Sequence, residues 1–220
     1  MKARVRFDDD SGLAGIRVGL IEAEGLDWNA DGAADRFPAI IAEARARGEG
    51  LISPTRKAAV RGMLRYGSYK PAGRAKPSSE YLLHAALEGD FPAVNYFVDA
   101  VNVVSLVTGY PISIVDLDKS GGELLLRRGK PGETYVFNAG GQAIDLTDLL
   151  CVCRAVPEGF VPTANPVRDS MATKLFPGAS RAAVFIYAPA GAEGAGLEEA
   201  CRSLRGYLAG AAASADWAIA

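Results

Sequence analysis

The segment Val94 to Asp118 reads VNYFVDAVNVVSLVTGYPISIVDLD, and its first half has the pattern of a helix apolar on nearly every side. It nevertheless carries Asn95, Asp99 and Asn102 at i, i+4 and i+7, which places one carboxylate and two carboxamides on a single helical stripe. Burying such groups is costly unless partners satisfy them. The structural explanation is that they brace a neighbouring loop through its backbone amides; the functional one is a pocket.

Other candidate groups exclude more chemistry than they offer. His84 is the only histidine, so no Ser-His-Asp or Cys-His set can be built around it, and the GxSxG, Walker A and GxGxxG patterns are missing. Covalent and nucleotide-driven catalysis are not expected, and His84 reads as a packed or surface residue. In DWNADGAAD, the residues Asp27, Asn29, Asp31, Gly32 and Asp35 match positions of a calcium loop, but Pro38 stands where the closing bidentate carboxylate belongs. An acidic surface turn is the expectation there. Cys151 and Cys153 lie two apart on an expected strand, with Cys201 elsewhere and no second ligand pair nearby, and they read as reduced core residues. Neither a metal nor a cofactor is expected.

The chain of 220 residues has a formal net charge of -2, which argues against indiscriminate nucleic-acid binding, although net charge hides its distribution. From Arg56 to Lys76 the run RKAAVRGMLRYGSYKPAGRAK holds seven cations and no acid. Pro54 can begin a helix there. Lys57, Arg61 and Arg65 then form a ridge able to follow a phosphate backbone, continued by Lys70 and Lys76 in the next loop; a solvated helix face is the alternative.

These groups need a scaffold. IRVGLIEAEGL reads as an early strand, RFPAIIAEARARG as a helix closed by Gly48, and SPTRKAAVRGMLRYG as a helix closed by Gly67. In KPSSEYLLHAALEG, Ser78 or Ser79 is the expected cap of a helix with Leu82, Leu83 and Leu87 inward and Gly89 at its end. The polar-striped helix takes Asp90 as cap, Pro92 in its first turn and Gly109 as its stop. ISIVDLD and ELLLRRG flank KSGG as a hairpin from Ile112 to Arg128, toward which the stripe is expected to point. Strands at TYVFN, DLLCVCRAV and RAAVFIYAP precede an amphipathic helix with Leu197, Cys201, Leu204 and Leu208 inward, and an Ala-rich tail follows.

Helices first and strands later, with hairpins instead of alternating units, predict an α+β fold, a single domain over residues 1–220 with helices packed on mostly antiparallel sheets. Apolar residues make up 49% of the chain, enough for a sizeable core. No run of eighteen apolar residues exists, and MKARVRFDDD has no apolar core. Neither a membrane span nor a signal peptide is supported, so the expected location is the cytoplasm.

The string FVDAVNVVSLVTGYPISIVDLDKSGGELLLRRGKPGET resembles the B3/B4 editing domain of the phenylalanyl-tRNA synthetase beta subunit. The family pattern falls here on Val98, Asp99, Asn102, Gly109, Pro111, Asp116, Leu117, Asp118, Arg127, Gly132 and Glu133. Upstream YKPAGRAKPSSEYLL and downstream RDSMATK look like matching elements of stand-alone proteins of this kind. The resemblance covers roughly Arg65 to Pro189, leaving residues 1–64 as an N-terminal extension.

The resemblance implies a protein that binds the aminoacylated end of a tRNA, as the family's domain does when it hydrolyses tyrosine mistakenly attached to the phenylalanine tRNA. An aminoacyl ester is already activated, so a positioned water and hydrogen bonds to the developing oxyanion suffice. A pocket that hydrogen-bonds a substrate hydroxyl also discriminates strongly against analogues lacking it. The implied catalytic positions are Asn102 and Ser113, with Asn95, Asp99, Glu80 and Asp116 as pocket residues. Lys57, Arg61, Arg65, Lys70 and Lys76 are the expected RNA-binding set.

Two departures strip polar function: Val101 stands where the family has a threonine, and Ser113 where it has a histidine. Glu158 is the candidate for the family's tyrosine-reading glutamate. With no aminoacylation domain, the chain reads as a stand-alone relative. It is either a tRNA-binding protein that deacylates aminoacyl-tRNA in trans or a non-catalytic module for an amino-acid-like ligand or a protein partner. DNA and membranes are not expected partners.

Overall fold

Two four-stranded sheets and six α-helices form one α+β domain, which a computed structural model describes for residues 3–9, 12–30 and 32–220. The first sheet runs β10 (Ala212–Ile219), β2 (Ile16–Leu26), β9 (Arg181–Pro189) and β3 (Ile112–Asp116), antiparallel throughout. The second runs β1 (Arg4–Phe7), β4 (Glu123–Arg128), β7 (Leu150–Val156) and β8 (Gly159–Ala164), where only the β1 and β4 pair is parallel. A small ribbon pairs β5 (Thr134–Val136) with β6 (Ala143–Asp145). Near-continuous apolar runs mark strands covered on both faces, and β9 is buried from Ala182 to Pro189 for that reason. Because β2 lies between β10 and β9, the segment before residue 65 shares a sheet with the rest of the chain.

The helices are α1 (Phe37–Arg47), α2 (Pro54–Leu64), α3 (Ser78–Glu88), α4 (Tyr96–Thr108), the single turn α5 (Leu117–Ser120) and α6 (Leu197–Ala209). The predicted inward set of α6, Leu197, Cys201, Leu204 and Leu208, is buried. This helix approaches β2 closely enough that a Cβ on Gly19 would sit 2.3 Å from Cys201 Sγ, so only glycine fits there without displacement. α4 packs against α1, α3, α6 and β3. Gly109 ends it as expected, in the left-handed conformation with φ of 73°. The three cysteines are buried and free.

Four expectations need correction. The cap of α4 is Asn95, whose Oδ1 accepts the Val98 amide at 3.0 Å, while Asp90 and Pro92 lie in the extended lead-in. Ser78 and Ser79 fall inside the first turn of α3, whose cap position is Pro77, and both hydroxyls lack a hydrogen-bond partner among the described residues. β3 and β4 do not form a hairpin: they belong to different sheets, because Asp116 accepts the amides of Asp118 and Lys119 and starts α5, which carries the chain across. The Ala-rich tail is the edge strand β10. Alanine is a weak strand former, and the paired register with β2 supplies the order that composition does not signal. No helix of the described residues is long and apolar enough to cross a membrane.

Candidate functional site

α3, α4, β3 and the loops following β5 and β8 enclose a cavity of about 390 Å³, within the range of small-molecule sites. Leu82, Val98, Ile112 and Val167 form its apolar wall, and the polar residues Ser78, Asn102 and Asp169 also line it. Arg74, Lys76, Arg168 and Lys174 ring it with cations. A second, more open cavity of about 820 Å³ adjoins it, sharing Arg74, Phe137 and Arg168 and adding Lys70. The cationic surface is thus continuous from one cavity to the other.

The loop after β8 is shaped by Asn165, a short polar residue suited to bonding nearby backbone. Its Oδ1 accepts the amides of Val167 and Arg168, each at 2.8 Å, and its Nδ2 meets the Tyr135 hydroxyl. Tyr135 in turn donates to the Arg168 carbonyl at 2.5 Å. Arg168 reaches the Arg74 carbonyl at 3.0 Å and lies 4.8 Å over the Phe137 ring. Lys174 Nζ donates to the Phe137 carbonyl at 3.0 Å.

Asp169 has two unlike oxygens. Oδ2 accepts the Ile114 amide at 3.1 Å, while Oδ1 is shielded from solvent with no hydrogen-bond partner among the described residues. Burial pushes its carboxyl up to about 7, against the opposing pull of the Ile114 amide, the Lys174 charge and the Asn165 amide. Ser78 Oγ is likewise shielded and unpartnered, while its backbone amide ties α3 to the Pro166 carbonyl at 2.8 Å. The Asn102 side chain lines the same cavity.

The structure separates the residues that the spacing had grouped. Asn95, Asp99 and Asn102 are all half-buried, but Asn95 is occupied as the α4 cap, and Asp99 Oδ1 accepts the Val94 amide at 2.9 Å. Burial raises the Asp99 carboxyl while the Val94 and Asn95 amides pull it down. Those two residues brace the lead-in to α4, and Asn102 alone of the three lines the cavity. Ser113 is buried, its hydroxyl 2.7 Å from the Tyr187 hydroxyl, and is not a lining residue. Asp116 caps α5 and pairs with Lys119 at 2.8 Å. Glu158 is exposed in the turn between β7 and β8, beside Arg6 and Lys130.

The basic ridge is largely paired. Lys57 meets Glu49 at 2.7 Å, and Arg61 holds Glu80 through both guanidinium prongs, with Nε to Oε1 at 2.6 Å. Glu80 therefore serves Arg61 and does not line the cavity. Arg65 is exposed at the end of α2, whereas Lys70 and Lys76 reach the two cavities. Elsewhere in the resemblance, Arg127 holds Glu133 at 2.6 and 2.8 Å, and Asp118 accepts from Ser180 and Arg181, which hold its carboxyl down to about 2. These motif residues act as braces. His84 is exposed and 3.0 Å from Glu88. In the calcium-like turn, Asp27 accepts the Asn29 amide at 2.9 Å, and Asp31 lies outside the described residues. No group of three or more potential metal ligands occurs among the described residues.

Arg74, Ser78, Arg168, Asp169 and Lys174 were not named as site residues from the sequence, yet they lie inside YKPAGRAKPSSEYLL and RDSMATK, the two strings flanking the polar helix. A family model described as the B3/4 domain matches residues 69–182, just over half of the 220-residue chain. The chain belongs to the B3/4 domain family. The B3/4 match takes in the residues named above as lining the first cavity. Membership in the B3/4 family is compatible with a tRNA-binding or editing-related module and suggests nucleic acid as a partner. No curated protein matches the chain.

Proposed function

We propose that this B3/4 protein binds aminoacylated tRNA in trans, receives its 3′ end in the smaller cavity, and hydrolyses the ester there. The observation that supports this most is the continuous cationic surface, in which Arg74 and Arg168 line both cavities. Phosphates attract such a surface, and Phe137, under the Arg168 guanidinium, offers an aromatic face to a base. The amino acid enters against Leu82, Val98 and Ile112. A water held by the Asn102 carboxamide attacks the ester carbonyl, the amide N–H stabilises the oxyanion, and collapse expels the ribose hydroxyl, which takes a proton from the water.

A panel of charged and mischarged tRNAs incubated with the purified protein tests this. Release of amino acid from at least one, reduced about a hundredfold in Asn102→Ala, is the expected result. No release from any tRNA rejects hydrolysis. One observation favours a second reading, a non-catalytic module for an amino-acid-like ligand: the Ser113 hydroxyl is committed to Tyr187 in the core, so one of the two implied catalytic groups is absent from the cavity. That reading predicts binding of charged tRNA without turnover.

A further inference from the structure

We infer that Tyr81 is the platform on which the last base of the RNA stacks at the opening of the smaller cavity, with Pro92 and Val94 as its apolar border. The identity of the ligand as RNA rests on the proposed function; the residue that holds its last base is the addition. Seven large apolar side chains are exposed among the described residues, and the two most exposed, Val94 at 61% and Tyr81 at 58%, both line this cavity, whereas the other five do not. Single exposed apolar side chains are ordinary, but their concentration at one opening marks a contact site. Tyr81 stands there because it precedes the buried Leu82 on α3, turned from it by about 100° around the helix, so Leu82 forms the wall and Tyr81 the rim.

The Tyr81 ring has neither an aromatic nor a cationic partner, and its hydroxyl makes no hydrogen bond, among the described residues. Other aromatic faces are engaged: Arg168 lies over Phe137 and Arg128 over Tyr66, each at 4.8 Å. Around the same opening, Arg74 and Lys76 come from the loop before α3, and Arg168 and Lys174 from the loop after β8. A nucleotide presents an anionic phosphate and a flat π face in one unit, so it satisfies the cations and the free ring together. The Ser78 amide, on the Pro166 carbonyl at 2.8 Å, ties α3 to the loop that carries Arg168 and holds the two at a fixed spacing. Tyr81 lines only the smaller cavity, whereas Phe137 lines both. The last base therefore falls on Tyr81, and the base before it lies toward Phe137 and the larger cavity.

The test uses the full chain and two forms of one uncharged tRNA, the second lacking only the base of its 3′-terminal adenosine. The wild type should bind the complete tRNA at least about fivefold tighter than the baseless form. Tyr81→Ala should bind both equally, at the weaker level, and Tyr81→Phe should keep the discrimination, because the ring and not the hydroxyl carries the contact. Equal binding of the two forms by the wild type overturns the stacking site, as does a preference retained by Tyr81→Ala. The wild-type comparison stands even where a variant fails to fold. Titration with adenosine 5′-monophosphate and with ribose 5-phosphate, followed by chemical-shift changes, separates the two proposals. Binding of the nucleotide alone, with shifts of the Tyr81 ring and no tRNA binding, rejects the proposed function and supports the stacking site. Equal, measurable binding of complete and baseless tRNA leaves the function standing and rejects the site, and binding of neither tRNA nor nucleotide rejects both.

Discussion

The amide of Ile114 donates to Oδ2 of Asp169 at 3.1 Å and fixes a carboxyl group whose other oxygen is shielded from solvent. The bond joins β3 to the loop after β8, so the strand that follows Gly109 and Pro111 positions a group some fifty residues away in sequence. No local pattern in either segment announces the contact.

Asp169 gives the protein a pH dependence of definite sign. Its folded-state carboxyl is raised from 3.8 to about 7, so the folded state holds a proton that the unfolded state releases. That stabilisation is fully present below the unfolded value and is lost as pH rises through about 7. Wild type should lose on the order of 2 kcal/mol between pH 5 and pH 8 relative to Asp169→Asn. Urea midpoints at the two pH values check this, and parallel losses in both proteins would contradict it. Asp118, whose carboxyl is held down to about 2, acts in the opposite sense at lower pH.

The salt dependence of tRNA binding should follow the cavity cations and not the ridge. Lys70→Gln, Arg74→Gln and Lys76→Gln should each lower the slope of log affinity against log salt by about 0.7, the figure for single strands. Arg61→Gln should leave that slope alone, because Arg61 is occupied by Glu80, and should instead lower stability. A slope reduced by Arg61→Gln and unchanged in the other three would place the RNA along α2.

Much of this fold was legible in the sequence, and the physical reason separates what was from what was not. β2, β9 and the inward face of α6 follow from periodicity, which is local. β10 was missed because its alanines carry little strand preference, and the β3 to β4 hairpin was wrongly expected because α5 is a single turn set by the Asp116 cap. In the site, Asn102 was found by its place in an apolar helix. Asn95 and Asp99 shared its spacing but are occupied by local amides, which spacing cannot reveal. Asp169 and Arg168 were within a quoted string, but their meaning depends on contacts with β3 and Phe137.

The Ser113 and Tyr187 hydroxyls form one buried pair, 2.7 Å apart. Tyr187→Phe should cost about 1 kcal/mol by leaving the Ser113 hydroxyl unpaired. Ser113→His, which restores the residue of the synthetase family, should overpack the core and lower stability by roughly 1–3 kcal/mol without increasing deacylation. Thermal melts and the charged-tRNA panel read both effects. A stable Ser113→His protein with faster deacylation would put Ser113 at the reacting centre.

Gly19 and Cys201 should couple in a double-mutant cycle. Gly19→Ala places a Cβ 2.3 Å from Cys201 Sγ and should destabilise by about 1–3 kcal/mol. Adding Cys201→Ala should recover part of that loss, because the sulfur is the atom in the way. Additive losses in urea melts would show that α6 shifts freely on β2.

The affinity ratio of amide-linked charged tRNA to uncharged tRNA, compared between wild type and Val98→Trp, tests most directly whether the smaller cavity receives the aminoacyl end. Val98 lines that cavity from α4 and is half-buried, so an indole there occupies the space without removing any cation. The wild type should prefer charged tRNA, and that preference should fall to unity in Val98→Trp with the affinity for uncharged tRNA unchanged. An undiminished preference in the folded variant would contradict it.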